Sequence, residues 1–196
     1  MTAMKIEIVV FDGFDELDAL APYEVLRTAA AHGARIQAEL VGVFGPATVT
    51  ASHGARLVVD RGMSDEAEMV IVPGGGWFHG AGVRDQAERG ELPRLLVAAH
   101  ERGAKVASVC TGAMLLAAAG LTHGRPATTH RDAFDDLAAS GAQVVDARFV
   151  DDGDLLTAGG VTSGLDLALH IVETAAGAEI AEAVAREIEY ERATAA

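Results

Sequence analysis

Lys105-Val-Ala-Ser-Val-Cys-Thr-Gly-Ala113 is a short apolar run that passes directly into a helical pattern. Residues 105–109 predict a buried strand, and residues 111–119 predict a helix that Gly120 ends. Cys110, the only cysteine in the chain, lies between the two among small residues. We therefore expect a sharp turn that presents its side chain at the carboxyl edge of a sheet.

Strand and helix patterns alternate on both sides of this turn. Residues 5–11 and 69–72 are apolar runs typical of strands covered on both faces, whereas residues 17–31 and 92–101 have helical spacing. The same patterns predict further strands at 37–44 and 155–157, a hairpin of 48–52 with 56–60, and extended segments at 127–130 and 144–150. They also predict three more helices, at 132–140, from Thr162 or Ser163 to 172, and at 179–192. Asp132 is the expected N-cap of the first of these helices. The alternation predicts an α/β fold, a mostly parallel sheet with helices on both faces.

Composition limits the classes of function. The chain has 196 residues, half of them hydrophobic, which predicts one domain spanning residues 1–196, with a frayed tail after Glu191. A formal net charge of −14 argues against binding to nucleic acid or to an anionic membrane. One cysteine cannot form an intrachain disulfide, and no apolar stretch is long enough to span a membrane. These features predict a cytoplasmic protein.

Cys110 is the strongest candidate for chemistry. The N-terminal amides and dipole of the helix that follows it are expected to favour the thiolate over the thiol. The alternative is that Cys110 is a small buried hydrophobic residue, the common fate of a free cysteine. Its position between strand and helix favours the nucleophile.

A thiolate needs a group that can hold a proton, and an acidic segment follows the first predicted strand. Asp12, Asp15 and Glu16 are best interpreted as caps of the next helix, whereas Asp18 is equally suited to capping and to facing Cys110. In an open α/β sheet the loops after the strands converge on one crevice. A carboxyl group beside a thiolate is expected to have its pKa raised by the like charge, which suits it to protonating an intermediate.

The glycines that follow residues 69–72 are a weaker signal. The amides of Gly75 and Gly76 can approach a ligand closely and form an oxyanion hole, although a glycine turn without a ligand is equally compatible. The run matches neither a P-loop nor a dinucleotide fingerprint. No spacing of the seven histidines predicts a metal site. His130 is the histidine expected near Cys110, as a base or as a structural hydrogen bonder.

Five stretches of the sequence resemble the DJ/PfpI superfamily of class I glutamine amidotransferase-like proteins. They are Ser108-Val-Cys-Thr-Gly-Ala-Met-Leu-Leu-Ala-Ala-Ala-Gly-Leu121, Gly124-Arg-Pro-Ala-Thr-Thr-His130 and Leu156-Thr-Ala-Gly-Gly-Val-Thr-Ser-Gly-Leu-Asp166, together with Leu17-Asp-Ala-Leu-Ala-Pro22 and Val72-Pro-Gly-Gly75. The resemblance is nearest to the isocyanide hydratase branch and to the ligand domains of AraC-type regulators. It covers residues 11–191 and implies a flavodoxin-like sheet.

The resemblance also implies roles for single residues. Cys110 takes the place of the nucleophile, Asp18 that of the acid facing the sulfur, and amides around Gly75 and Thr111 would hold the developing negative charge. The residue after the nucleophile is Thr111, not the histidine of PfpI-type proteases, which argues against a peptidase. Asp18, in place of the glutamate of the redox-sensing branch, points to the hydratases. His130 has a supporting role.

The implied activity is addition of water to an organic isocyanide, giving an N-substituted formamide, with no cofactor and no metal. In this scheme the Thr111 hydroxyl hydrogen-bonds the acid or the reacting nitrogen. The alternatives are a redox or ligand sensor in which Cys110 is oxidised, and an amidase or glyoxalase-like enzyme. The expected partners are a small-molecule substrate and a second copy of the chain in a homodimer.

Overall fold

The computed structural model describes residues 2–79 and 81–192, so the tail after residue 192 lies outside the described residues. The strands are β1 Met4–Val9, β2 Ile36–Val41, β3 Ala47–Thr50, β4 Arg56–Val59, β5 Met69–Val72, β6 Lys105–Val109, β7 Pro126–Ala127, β8 Gln143–Val144, β9 Phe149–Asp151 and β10 Leu155–Ala158. The helices are α1 Glu16–Ala31, α2 Val83–Arg89, α3 Glu91–Glu101, α4 Ala113–Ala118, α5 Phe134–Ala139, α6 Ser163–Ala176 and α7 Ala178–Glu187.

The main sheet has six strands in the order β2-β1-β5-β6-β10-β9. All neighbouring pairs are parallel except β10 and β9, which are antiparallel. The hairpin of β3 with β4 and the short pair of β7 with β8 form two separate ribbons. The predicted α/β class, with its mostly parallel sheet, is confirmed.

Helices cover the sheet in two groups, α1 with α6 and α7, and α2 with α3, α4 and α5. Because helices cover both faces, the central strands carry apolar side chains without alternation, and all four residues of β5 are buried. Residues from both helix groups and the sheet belong to one buried cluster that extends from Ile6 to Ala185. None of the described helices is both long and apolar enough to cross a membrane.

Several element boundaries differ from the predictions. The extended segment predicted at 144–150 is wrong, because β8 and β9 pair in different sheets with a turn between them. Asp132 does not cap α5; it lies in a 3-10 turn, Arg131–Ala133, that precedes that helix. Helix α2 was not predicted, because Val83 is its only buried residue and the sequence lacks an amphipathic pattern there. The last helix ends at Glu187, before the predicted residue 192.

The topology brings four loops together. β1, β5, β6 and β10 are adjacent and parallel, so the segments after their carboxyl ends meet at one edge of the sheet. Those segments carry Asp18, Gly74–Gly76, Cys110 and Gly159–Thr162 respectively.

Candidate active site

The turn at Cys110 has the expected elbow geometry. A 3-10 turn, Cys110–Gly112, connects β6 to α4, and Cys110 has a φ of 55°. A positive φ is uncommon outside glycine and persists only where neighbouring groups hold it. Here the Cys110 amide donates to the Gly159 carbonyl (3.0 Å), and the Cys110 carbonyl accepts from Thr129 Oγ1 (2.9 Å). Both backbone groups of the strained residue are therefore fixed.

Asp18 lies opposite this turn, in the first turn of α1, and its side chain is fully buried. Its Oδ2 accepts a 3.0 Å hydrogen bond from the Gly74 amide. Its Oδ1 has no hydrogen-bond partner that meets the usual geometric limits among the described residues. The carboxyl group interacts instead with the neighbouring Cys110 thiol. The structure therefore brings together the acid and the nucleophile that the sequence predicted.

Both groups of the pair hold their protons more tightly than they would in water. Burial raises the pKa of Asp18 to about 8, and the charge of Asp15 adds to this effect, whereas contacts with Gly74 and Cys110 oppose it. The pKa of Asp18 is raised, as predicted, but the main cause is the loss of water around the carboxyl group and not repulsion from a thiolate. Two groups this close titrate as a unit, so their protons leave in coupled steps.

The expected thiolate at the helix N-terminus is wrong for the resting state. Burial and, second to it, the charge of the neighbouring Asp18 raise the pKa of the Cys110 thiol to about 12. Amides of Thr111 and Val161 hydrogen-bond to the sulfur and lower the pKa, but they do not compensate for the first two effects. The amides therefore favour a thiolate only once a proton has left the pair.

Thr111 and the glycine loop meet beside this pair. The Gly75 amide donates to Thr111 Oγ1 (3.0 Å), so the amide expected in an oxyanion hole is used within the protein. A Cβ atom on Gly74 would lie 2.7 Å from Asp18 Oδ2 and 2.7 Å from the Thr111 amide nitrogen, closer than side-chain atoms tolerate. Gly76 has a φ of 66°, and a Cβ there would lie 2.0 Å from the Ala81 carbonyl. These glycines permit close approach of backbone segments.

His130 lies on the wall of an adjacent cavity of about 370 Å³ that Thr129, Gly160 and Arg148 also line. Its Nδ1 accepts a hydrogen bond from the Asp132 amide (3.3 Å), and its ring packs against Gly160. No hydrogen bond joins His130 to Cys110 within the described ranges. Of the two roles left open by the sequence, the contacts favour the structural hydrogen bonder.

Of the other acids of the first loop, Asp15 caps α1 as predicted, whereas the predicted capping of α1 by Asp12 and Glu16 is wrong, because both accept N–H groups from the β3–β4 hairpin. Asp15 is the N-cap of α1 and accepts from the Leu17 amide, and Asp12 accepts from the Thr50 amide. Glu16 accepts backbone N–H groups from the β3–β4 turn. Asp15, Glu16 and His53 form the one cluster in the described chain with metal-ligand spacing. The Glu16 oxygens are already occupied by these N–H groups, which indicates a structural role.

Two contributors were not singled out from the sequence. Val161 has a φ of 34°, unusual for a β-branched residue, and its amide hydrogen-bonds to the Cys110 sulfur. Thr129 holds the Cys110 carbonyl. The Gly-Gly pair before Val161 and the Thr-Thr pair before His130 were the available signals, but neither reveals which backbone group faces the sulfur.

Comparison with known proteins agrees with this geometry. The chain is 34% identical over 190 residues to an isonitrile hydratase of Pseudomonas putida, covering 96% of this chain and 79% of that protein. The crystal structure of Drosophila melanogaster DJ-1beta superposes with a TM-score of 0.84 at 25% identity, covering 97% of this chain and 100% of the other.

An AraC family transcriptional regulator from Pseudomonas putida has the same fold, with a TM-score of 0.82 at 22% identity over 94% of this chain and 98% of the regulator chain. The sequence model of the DJ-1/PfpI family matches residues 4–174. The predicted resemblance is thus confirmed, and the chain belongs to the DJ-1/PfpI family.

Proposed function

We propose that this protein is a cysteine-dependent isocyanide hydratase, a lyase that adds water to an organic isocyanide. The observation that carries the proposal is the buried pair of Cys110 and Asp18, whose raised pKa values keep two protons beside the nucleophile at neutral pH. An isocyanide carbon needs both a nucleophile and a proton, and this pair supplies both. The similarity to an isonitrile hydratase supports the same choice.

In the first step the Cys110 thiol gives up its proton and the sulfur bonds to the terminal carbon of R–N≡C. Asp18 delivers a proton to that carbon, giving the thioimidate R–N=CH–S–Cys, and takes up the thiol proton. Asp18, which is now protonated again, gives its proton to the imine nitrogen and takes one proton from the water that adds to the same carbon. The C–S bond then breaks, the remaining hydroxyl proton passes to the sulfur to re-form the thiol, and R–NH–CHO leaves. The sum is one isocyanide and one water, with no cofactor or metal required.

Backbone groups assist when charge develops. The amides of Thr111 and Val161 hold the sulfur as it becomes a thiolate and again when it leaves. Thr111 Oγ1 accepts from Gly75, so the hydroxyl proton points elsewhere and is available to the substrate nitrogen or to Asp18. In this scheme the Gly75 amide orients the Thr111 hydroxyl and does not itself bind the oxyanion.

The alternatives fit the site less well. Redox-sensing cysteines are exposed and have low pKa values, whereas Cys110 is 7% exposed with its pKa raised to about 12. An amidase or glyoxalase-like mechanism needs a base next to the nucleophile, and His130 is engaged in capping a turn. Peroxide titration with intact-mass detection separates the sensor, which gains oxygen at low oxidant without substrate turnover.

The test is consumption of para-nitrophenyl isocyanide with mass detection of the formamide, comparing wild type with Cys110→Ala. Loss of turnover in the variant, with circular dichroism unchanged, supports the proposal. A wild-type protein without turnover, or a variant that turns over equally well, overturns it. Arg102→Ala is a suitable control, because Arg102 precedes β6, at the opposite end of that strand from Cys110, and its side chain pairs with Asp65.

We propose further that the partners are a small-molecule substrate and a second copy of the chain, in the cytoplasm. Two large apolar side chains, Phe44 and Val58, are 71% and 74% exposed, which leaves an apolar surface for a dimer to cover. Light scattering of wild type and Val58→Glu tests this point. A monomeric wild type contradicts the dimer.

A further inference from the structure

The segment Gly159–Thr162 lies against the Cys110 turn: the Gly159 carbonyl accepts the Cys110 amide (3.0 Å), the Val161 amide hydrogen-bonds to the sulfur, and Val161 adopts a strained conformation with a φ of 34°. A β-branched residue in the left-handed region is unstable by itself, so its surroundings must maintain it. Val161 is half-buried, and its own side chain does not explain the strain. The groups that flank the segment Gly159–Thr162 must supply the constraint.

One residue contacts both ends of this segment. The Arg148 carbonyl accepts a 2.9 Å hydrogen bond from the Gly159 amide at the start. Arg148 Nη1 donates a 3.0 Å hydrogen bond to Thr162 Oγ1 at the end. Val161 lies between these two anchors, which restrict how far its backbone can move.

Two other residues fix the orientation of the Arg148 side chain. Its Nε donates to Asp166 Oδ2 (2.8 Å), and its Nη2 donates to the Tyr190 hydroxyl (3.1 Å). The Tyr190 hydroxyl donates to the same Asp166 oxygen (2.9 Å), and Asp166 is 2% exposed. A planar guanidinium with several occupied donors has a single orientation, which makes Arg148 a rigid support. Asp166 lies on α6, and Tyr190 follows α7, so two helices set this orientation.

We propose that Arg148 is a positioning residue that, supported by Asp166 and Tyr190, holds the Val161 amide on the Cys110 sulfur. This inference rests on the proposed function only in taking Cys110 as the reacting group. Arg148 does not touch the sulfur and acts through the Gly159–Thr162 segment. Its loss is expected to remove one of the two amides that favour the thiolate, while the other, from Thr111, remains.

The experiment measures alkylation of Cys110 by iodoacetamide between pH 7 and 10, which is specific because the chain has one cysteine. Arg148→Met keeps the apolar stem and removes the donors, and we expect it to react about tenfold more slowly below the thiol pKa. Thr162→Val removes only the acceptor at an exposed position, and a roughly threefold decrease is expected. Thr162→Ser retains the hydroxyl and is expected to react like wild type.

Arg131→Met is the matched control, because Arg131 lines the same cavity but is 78% exposed and does not contact the segment. The inference is overturned if Thr162→Val and folded Arg148→Met are both alkylated at the wild-type rate or faster. Loosening of the segment without loss of the amide contact would expose the sulfur and speed the reaction. If Arg148→Met does not fold, Thr162→Val and Thr162→Ser decide the question. Alkylation needs no isocyanide, so an inactive wild type showing this pattern contradicts the proposed function and leaves the positioning role supported.

Discussion

The Gly75 amide donates a 3.0 Å hydrogen bond to Thr111 Oγ1, which joins the loop after β5 to the turn that carries Cys110. A hydroxyl that accepts this bond still has its own proton to donate. In the proposed reaction, Thr111 is therefore available as a donor. Thr111 also links the glycine loop to the turn of Cys110.

Thr111→Val tests this relationship, because valine has nearly the same shape but no hydroxyl. The Gly75 amide loses its acceptor, and we expect about 1–3 kcal/mol lower stability by urea unfolding. Turnover is expected to fall by roughly tenfold or more through loss of the donor. Thr111→Ser, which keeps the hydroxyl, should recover most of both. Equal activity of the valine and serine variants would show that the hydroxyl has no part in the reaction.

Asp18→Asn separates proton transfer from thiol acidity. Asparagine cannot carry the proton to the substrate carbon, so isocyanide turnover is expected to fall by about 10²–10⁴-fold. Removing the carboxylate also removes a charge that raises the Cys110 pKa, so alkylation by iodoacetamide at pH 9 should become faster. Parallel loss of both reactions would mean that Asp18 instead activates the thiol.

The buried acid also makes stability depend on pH. The pKa of Asp18 is about 8 in the folded protein and about 3.8 when unfolded, so the folded state binds the proton more tightly. Its stabilising contribution is complete below pH 3.8 and is lost as the pH rises through 8. The loss amounts to at most about 1.4 kcal/mol per pH unit.

Urea unfolding of wild type and Asp18→Asn at pH 5 and pH 8 isolates this effect, since the other titrating groups are common to both. Wild type should lose stability relative to the variant as the pH rises. The Cys110 pKa is raised from 9.0 to about 12, so its contribution is constant over this range. A difference between the two proteins that does not change with pH would contradict a neutral, buried Asp18.

Gly74→Ala tests the contact between the acid and Thr111. The added Cβ would lie 2.7 Å from Asp18 Oδ2 and 2.7 Å from Thr111 Oγ1, so one of them must move. We expect turnover to fall at least tenfold and stability to fall by about 1–3 kcal/mol. Gly45→Ala is the control, because a Cβ there meets nothing within 4 Å. Kinetics and thermal unfolding of both variants measure the difference, and similar behaviour would argue against a tightly packed acid.

Much of the fold follows from local patterns. The alternation of apolar runs and helical spacing predicted the strands and helices of the α/β fold, the β3–β4 hairpin and the elbow at Cys110, because each of these elements depends on residues close in sequence. Helix α2 and the separation of β8 from β9 were not predictable in this way. The first has almost no buried face, and the pairing partners of the second are set by distant segments.

The sequence by itself determined which residues reach the edge of the sheet, because the order of strands and helices places Asp18, Gly75 and Cys110 after parallel strands. Only the tertiary structure decided what they do there. The pKa of a side chain depends on lost water and on the distance to charges remote in sequence, so burial reversed the expected thiolate. For the same reason no local sequence pattern predicts the proposed support of Val161 by Arg148, because it depends on contacts between segments that only the folded chain brings together.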